Sequence, residues 1–192
     1  MNSVEATVAV LAAAPEALYV ASLGTATSAL REASDDGPHF YFGGAMGCAL
    51  GCALGVAERS PERDVICLLG DGELLMSAGS LWSLAGLAPP NLLAIVLDNS
   101  AYAITGGQPT VTDGRFARAA AALDSLASAE ASTPTDTSAR VADTPRPGLI
   151  QANVTLDGPL APDPFVNPDW VLTRFEAACG VPARPDSTPR SP

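Results

Sequence analysis

The chain has 192 residues, 47% of them hydrophobic, with 10 cationic and 21 acidic side chains and a formal net charge of -11. That length bounds one domain with a sizeable core. Every cation is Arg, and so acidic a balance excludes a nucleic-acid partner, which would require a basic face.

In chain order, the apolar run at 8–14 is short, lacks a basic flank and ends at Pro15, so it does not read as a secretory signal. Residues 18–22, 65–69, 92–98 and 149–154 are short, almost wholly apolar and partly β-branched. That is the pattern of parallel strands covered on both faces. Between them lie helical stretches at 45–57, at 73–88 (in two pieces, because Gly79 and Gly86 interrupt it) and at 115–123. Alternating strand and helix predict an α/β class: a parallel sheet with helices on both faces and right-handed crossovers. Residues 1–180 read as one domain, with a surface loop at about 124–147 where Ser, Thr and Pro accumulate. Residues 181–192 read as a disordered tail.

No run approaches the roughly 20 apolar residues of a membrane span, so no membrane association is expected. Cys48, Cys52, Cys67 and Cys179 read as reduced, buried thiols, because a zinc site needs four convergent ligands and the lone His39 adds little. Reduced thiols predict a cytoplasmic protein.

Two turns carry the chemistry. Gly70-Asp71-Gly72 follows the second strand and Asp98-Asn99-Ser100 the third, with 26 residues, Glu73 to Asp98, between the triplet and Asn99. In a parallel sheet, ligands bind at the carboxyl ends of strands. If these strands are neighbours, a carboxylate and an amide oxygen emerge at one edge. With a nearby backbone carbonyl they form a hard donor set suited to Mg²⁺. Gly70 and Gly72 leave room for close backbone approach, and the helix opening at Glu73 offers N–H groups to a phosphate. The local chemistry predicts a Mg²⁺-diphosphate site.

This pair of turns resembles the thiamine diphosphate (ThDP) binding motif, a GDG triplet followed at this kind of spacing by an Asn. The resemblance implies a ThDP-binding fold in which Asp71, the Asn99 side chain and the Ala101 carbonyl hold Mg²⁺ and the backbone at Gly70, Gly72 and Glu73 meets the diphosphate. The stretch "HFYFGGAMGCALGCALGVA" resembles the family segment that receives the aminopyrimidine. By that match the Gly44 carbonyl accepts a hydrogen bond from the 4′-amino group, and Met46 is the wedge that bends the cofactor. Bending makes proton removal intramolecular. Here Glu73 stands where many relatives carry Ser or Ala, and an acid beside a diphosphate must turn away.

"LDNSAYAITGGQPT" and "GAMGCALGCALGVA" look most like the sulfopyruvate and phosphonopyruvate decarboxylase branch. Tyr102, Thr105 and Gln108, just past the metal turn, are then candidate substrate contacts. "SLGTATSALREA" is a weaker version of that branch's N-terminal motif: Ser28 stands in place of its Arg, and Cys48 replaces a His common after the Met-Gly turn. Sulfonate or phosphonate recognition calls for Arg or Lys, and near the motifs stand Arg31 and Arg115.

ThDP enzymes pair a diphosphate domain with a pyrimidine domain that supplies an activating Glu. This chain accounts for the first only, and none of Glu5, Glu16, Glu32, Glu58 or Glu62 has the context of that acid. The resemblance therefore implies a partner subunit carrying the pyrimidine domain, in an α₂β₂ assembly acting on a small 2-oxo acid. The alternatives are an acyloin-forming carboligase subunit and a non-catalytic ThDP-like module. A dinucleotide site is disfavoured, since no G-x-G-x-x-G joins a strand to a helix.

Overall fold

The computed structural model describes residues 1–112, 114–157 and 167–182. Six parallel strands form one sheet in the order β2-β1-β3-β4-β8-β7. They are β1 (Leu18–Ala21), β2 (Phe40–Tyr41), β3 (Val65–Gly70), β4 (Leu92–Asp98), β7 (Ala127–Ala131) and β8 (Gly148–Asn153). A short antiparallel pair, β5 (Ala101–Tyr102) and β6 (Gln108–Pro109), lies between β4 and β7 in the chain.

The central strands are apolar throughout because both faces are covered. All seven residues of β4 are buried. Val65, Cys67, Leu69, Leu92, Ala94 and Val96 point to one face, where α3 (Ala49–Arg59), α5 (Ser80–Leu87) and α6 (Phe116–Ala121) pack. Ile66, Leu68, Leu93, Ile95 and Leu97 point to the other, under α1 (Ser3–Ala13), α2 (Thr25–Ser34) and α7 (Pro134–Asp143). The short α4 (Asp71–Met76) leads out of β3, and α8 (Pro168–Ala178) covers the β2 edge, its Phe175 ring 5.4 Å from that of Phe40.

At the amino end of the sheet, Asn91 holds the loops together. Its amide nitrogen donates to the carbonyls of Ala57, Ser60 and Arg63 at 3.1, 2.9 and 2.8 Å. The side chain thereby closes the α3–β3 connection against the start of β4.

The four strands and three helical stretches expected from the sequence are all present, with ends shifted by a few residues. The helix read at 45–57 starts at Ala49, because residues 43–48 form a loop. The surface loop expected at 124–147 is a correction: it holds edge strand β7 and helix α7. Thr133 caps α7 by accepting from the Asp136 N–H, Pro134 takes its first turn, and Thr137 and Val141 are buried. The expected pattern also lacks helices α1, α2 and α8. The cysteines are free thiols, yet Cys67 is buried while Cys48 is exposed, and Cys52 and Cys179 are half-buried, which corrects the expectation that all four are buried. The expected tail lies outside the described residues from 183 onward. Among the described residues no helix is long and apolar enough to cross a membrane.

Candidate cofactor site

The crevice follows from topology. From β1 the chain passes outward to β2, and from β3 in the opposite direction to β4. Their connections diverge at the carboxyl ends, which opens a cleft at the switch in strand order. It measures about 570 Å³ with its open mouth and is walled by the turns after β1, β3 and β4 and by Met46.

Asp71 opens α4 and is 2% exposed. Its Oδ2 accepts the Thr110 hydroxyl at 2.7 Å. Burial pushes this carboxyl up from the ordinary carboxylate range, the Thr110 bond pulls it down, and the nearby Asp98 adds to the upward push. β3 and β4 pair directly, with Gly70 opposite Leu97, so Asp71 and Asn99 leave adjacent strand ends. The Asn99 Oδ1 accepts from the Ala101 N–H at 2.9 Å, closing an Asx turn. Asp98 braces that turn: its Oδ1 accepts from the Ser100 N–H at 2.9 Å, and its Oδ2 from Gln151 at 3.1 Å. Ser100 takes a left-handed φ of 59° there. Asp71, Asn99 and Ala101 thus line one crevice. A carboxylate, an amide and a peptide carbonyl fit Mg²⁺, which takes few protein ligands and fills its shell with water and phosphate oxygens. Among the described residues no group of three or more His, Cys, Asp or Glu is placed to hold a metal, and this donor set requires none.

The wall around Gly70 and Gly72 is lean in side chains. The Gly70 N–H donates to Ser22 Oγ at 3.3 Å. A Cβ on Gly72 would lie 2.5 Å from the Tyr102 ring and 3.5 Å from the Met46 methyl, so only Gly fits where those two side chains converge. Glu73 does turn away: its Oε1 accepts from the Ala49 N–H at 3.1 Å. Ile104 packs over Gly24, which brings the turn after β5 across to the loop after β1.

The structure brings together Met46, Gly70, Asp71, Gly72, Glu73, Asn99, Ala101, Tyr102 and Thr105 on the crevice wall. Gly44 is exposed on the loop before α3 and lies off that wall. Gln108 is also off it; its side chain accepts from Thr105 Oγ1 at 3.0 Å and donates to the Thr105 carbonyl at 2.9 Å, so it braces the wall from behind. Neither Arg31 nor Arg115 lines the crevice. His39 stands apart at the β2 edge, its ring edge-on to Tyr19 and Tyr41. Thr110, Asp98 and Ser22 are the site residues that the sequence reading missed. Each lies in or beside a quoted motif, but its partner is set by the strand order.

Residues 21–145 match the family model described as "Thiamine pyrophosphate enzyme, C-terminal TPP binding domain". The chain belongs to this family. Its curated relatives include a phosphonopyruvate decarboxylase of Streptomyces viridochromogenes, 36% identical over 181 residues that cover 91% of this chain and 45% of that protein. They also include the sulfopyruvate decarboxylase subunit beta of Methanothermobacter thermautotrophicus, 38% identical over 113 residues, or 59% of this chain and 60% of that one. The TPP binding domain thus spans about half the length of the curated relatives it matches. Its fold matches that of a thiamine diphosphate-dependent 4-hydroxybenzoylformate decarboxylase of Rhodococcus jostii, with a TM-score of 0.64 at 23% identity over 82% of this chain and 33% of that one.

Proposed function

We propose that this chain is the ThDP- and Mg²⁺-binding subunit of a two-subunit 2-oxo acid decarboxylase of the sulfopyruvate and phosphonopyruvate type. The observation that carries the reading is the buried Asp71 carboxylate set beside Asn99 and Ala101 at adjacent strand ends. In this reading Asp71, the Asn99 amide oxygen and the Ala101 carbonyl hold Mg²⁺. The backbone at Gly70, Gly72 and Glu73 binds the diphosphate, the Gly44 carbonyl accepts from the aminopyrimidine, and Met46 supports the bend between the rings. ThDP, when bound, supplies the nucleophilic carbon and the electron sink that decarboxylation of a 2-oxo acid needs. Tyr102 and Thr105 wall the place of the substrate, and Gln108 steadies Thr105.

The activating acid comes from a second subunit with a pyrimidine-binding domain, in an α₂β₂ assembly in the cytoplasm. The subunit naming of one of its relatives supports this division. The substrate is a small 2-oxo acid. Native mass spectrometry of the tagged chain, isolated from its own host, tests the reading. A complex with a second chain plus ThDP and Mg²⁺ is expected, and the same pull-down with Asp71→Ala should lose both ligands. A cofactor-free homomer refutes the proposal.

A further inference from the structure

Glu73 joins two parts of the crevice that the sequence keeps apart. It stands in the first turn of α4, close behind Asp71, and is only 3% exposed. Its Oε1 reaches the N–H of Ala49, the first residue of α3. The residue before it, Cys48, gives α3 no side-chain cap. The first-turn N–H groups of a helix need an outside acceptor, and a carboxylate placed there also gains from the helix dipole. Glu73 supplies that acceptor from a different helix.

Immediately before Ala49 runs the loop that carries Met46, whose methyl lies against Gly72. Gly47, in the same loop, adopts a φ of 85° and faces Met76 and Ser77 at the end of α4. The loop and the α4 turn therefore touch at both ends, and the Glu73 carboxylate is the polar tie between them. The second carboxylate oxygen, Oε2, is out of reach of solvent and has no hydrogen-bond partner among the described residues. Burial of a carboxylate with one oxygen unanswered is unfavourable. The cap at Ala49 therefore comes at the cost of leaving one buried oxygen unanswered.

We propose that Glu73 is a positioning residue: by capping α3 through Ala49 it fixes the loop carrying Met46 against the turn carrying Asp71. Its consequence for cofactor binding rests on the ThDP reading above; the tie itself does not.

Hydrogen exchange on the full chain reads the tie directly. Glu73→Ala should speed exchange at Ala49 and through residues 43–48 by about tenfold, the scale of a lost N-terminal cap, while the amides of β3 and β4 keep their protection. Glu73→Gln, which keeps an acceptor oxygen, should exchange as wild type. Glu73→Asp is one methylene short of Ala49, so it should behave like Glu73→Ala; it keeps the charge and covers the case in which the Ala variant does not fold. Unchanged exchange at 43–49 in the Asp and Ala variants would overturn the proposal, as would a Gln variant as loose as Asp. Calorimetric titration then separates this idea from the ThDP reading. The Asp variant should lose about tenfold in affinity for ThDP with Mg²⁺ but hold pyrophosphate with Mg²⁺ as wild type does. Equal losses for both ligands would overturn the positioning role. A wild-type chain that, assembled with its partner subunit, binds neither ligand would count against the ThDP reading and leave the tie to the exchange result.

Discussion

Lowering the pH should destabilise this protein through His39. The ring is 6% exposed and sits edge-on to Tyr19 and Tyr41, with centroids 5.3 and 6.1 Å away. Nε2 lies 3.2 Å from Ser34 Oγ, and Nδ1 is buried with no hydrogen-bond partner. Burial pushes its pKa from 6.5 to about 4; Arg174 adds to the depression, and Asp36, a bond at Ser34 and Asp35 oppose it. The neutral ring is thus the folded form. Above pH 6.5 the folded and unfolded chains carry the same His charge, and the stability from this group is fully present. Below 6.5 the unfolded chain takes up a proton that the folded chain refuses until about pH 4. Each pH unit in that window removes about 1.4 kcal/mol. From pH 7 to pH 5 the loss is about 2 kcal/mol, and by pH 4 about 3 kcal/mol. The assay is urea unfolding followed by circular dichroism across this range, for wild type and His39→Phe. The Phe variant keeps a ring between the two tyrosines and loses the titration, so its profile should be flatter by those amounts. Parallel profiles would refute the reasoning.

Asp71→Asn should raise the urea midpoint of the cofactor-free chain at pH 7, because it removes a buried charge that burial already disfavours. The same variant should lose Mg²⁺-dependent ThDP binding by calorimetry, so stability and binding move in opposite directions. Gly72→Ala should displace the Tyr102 ring, visible as a changed near-ultraviolet circular dichroism signal, and weaken ThDP binding about tenfold or more. Ile95→Ala, at a fully buried position in the central strand β4, should cost about 2–5 kcal/mol in urea unfolding without altering the signal from Tyr102.

How much of this was legible in the sequence depended on burial. Strands β1, β3, β4 and β8 stand out because both of their faces are covered, which forces apolar runs. Edge strand β7 reads Ala-Ser-Ala-Glu-Ala and has one neighbour, β8, so it carries no such signal. Helix α7 did carry signals, with Thr133 as cap and Pro134 in the first turn, but the Ser, Thr and Pro content around it suggests a loop. Helix α1 likewise announced itself through the Asn2–Glu5 capping box, beneath a run of small apolar residues with no clear face. At the site, the spacing of Asp71 and Asn99 was enough to suggest that they meet, because strand–helix–strand connections place successive parallel strands side by side. What spacing could not give were ties across the fold: Thr110 to Asp71, Gln151 to Asp98, and Glu73 to Ala49. Each joins elements whose proximity is decided by strand order and helix packing.

The Asn91 clasp has a consequence for how the protein can be handled. It secures the amino end of the sheet, the pole opposite the crevice, where the α3–β3 and α5–β4 connections meet. That pole can serve as an anchor. A surface attachment or a fluorophore on the exposed Glu62 would sit behind the sheet and leave the mouth between β1, β3 and β4 open. The same attachment on the turn after β4 would stand in the doorway. The clasped back of the sheet is the place from which to hold this molecule while its crevice stays accessible.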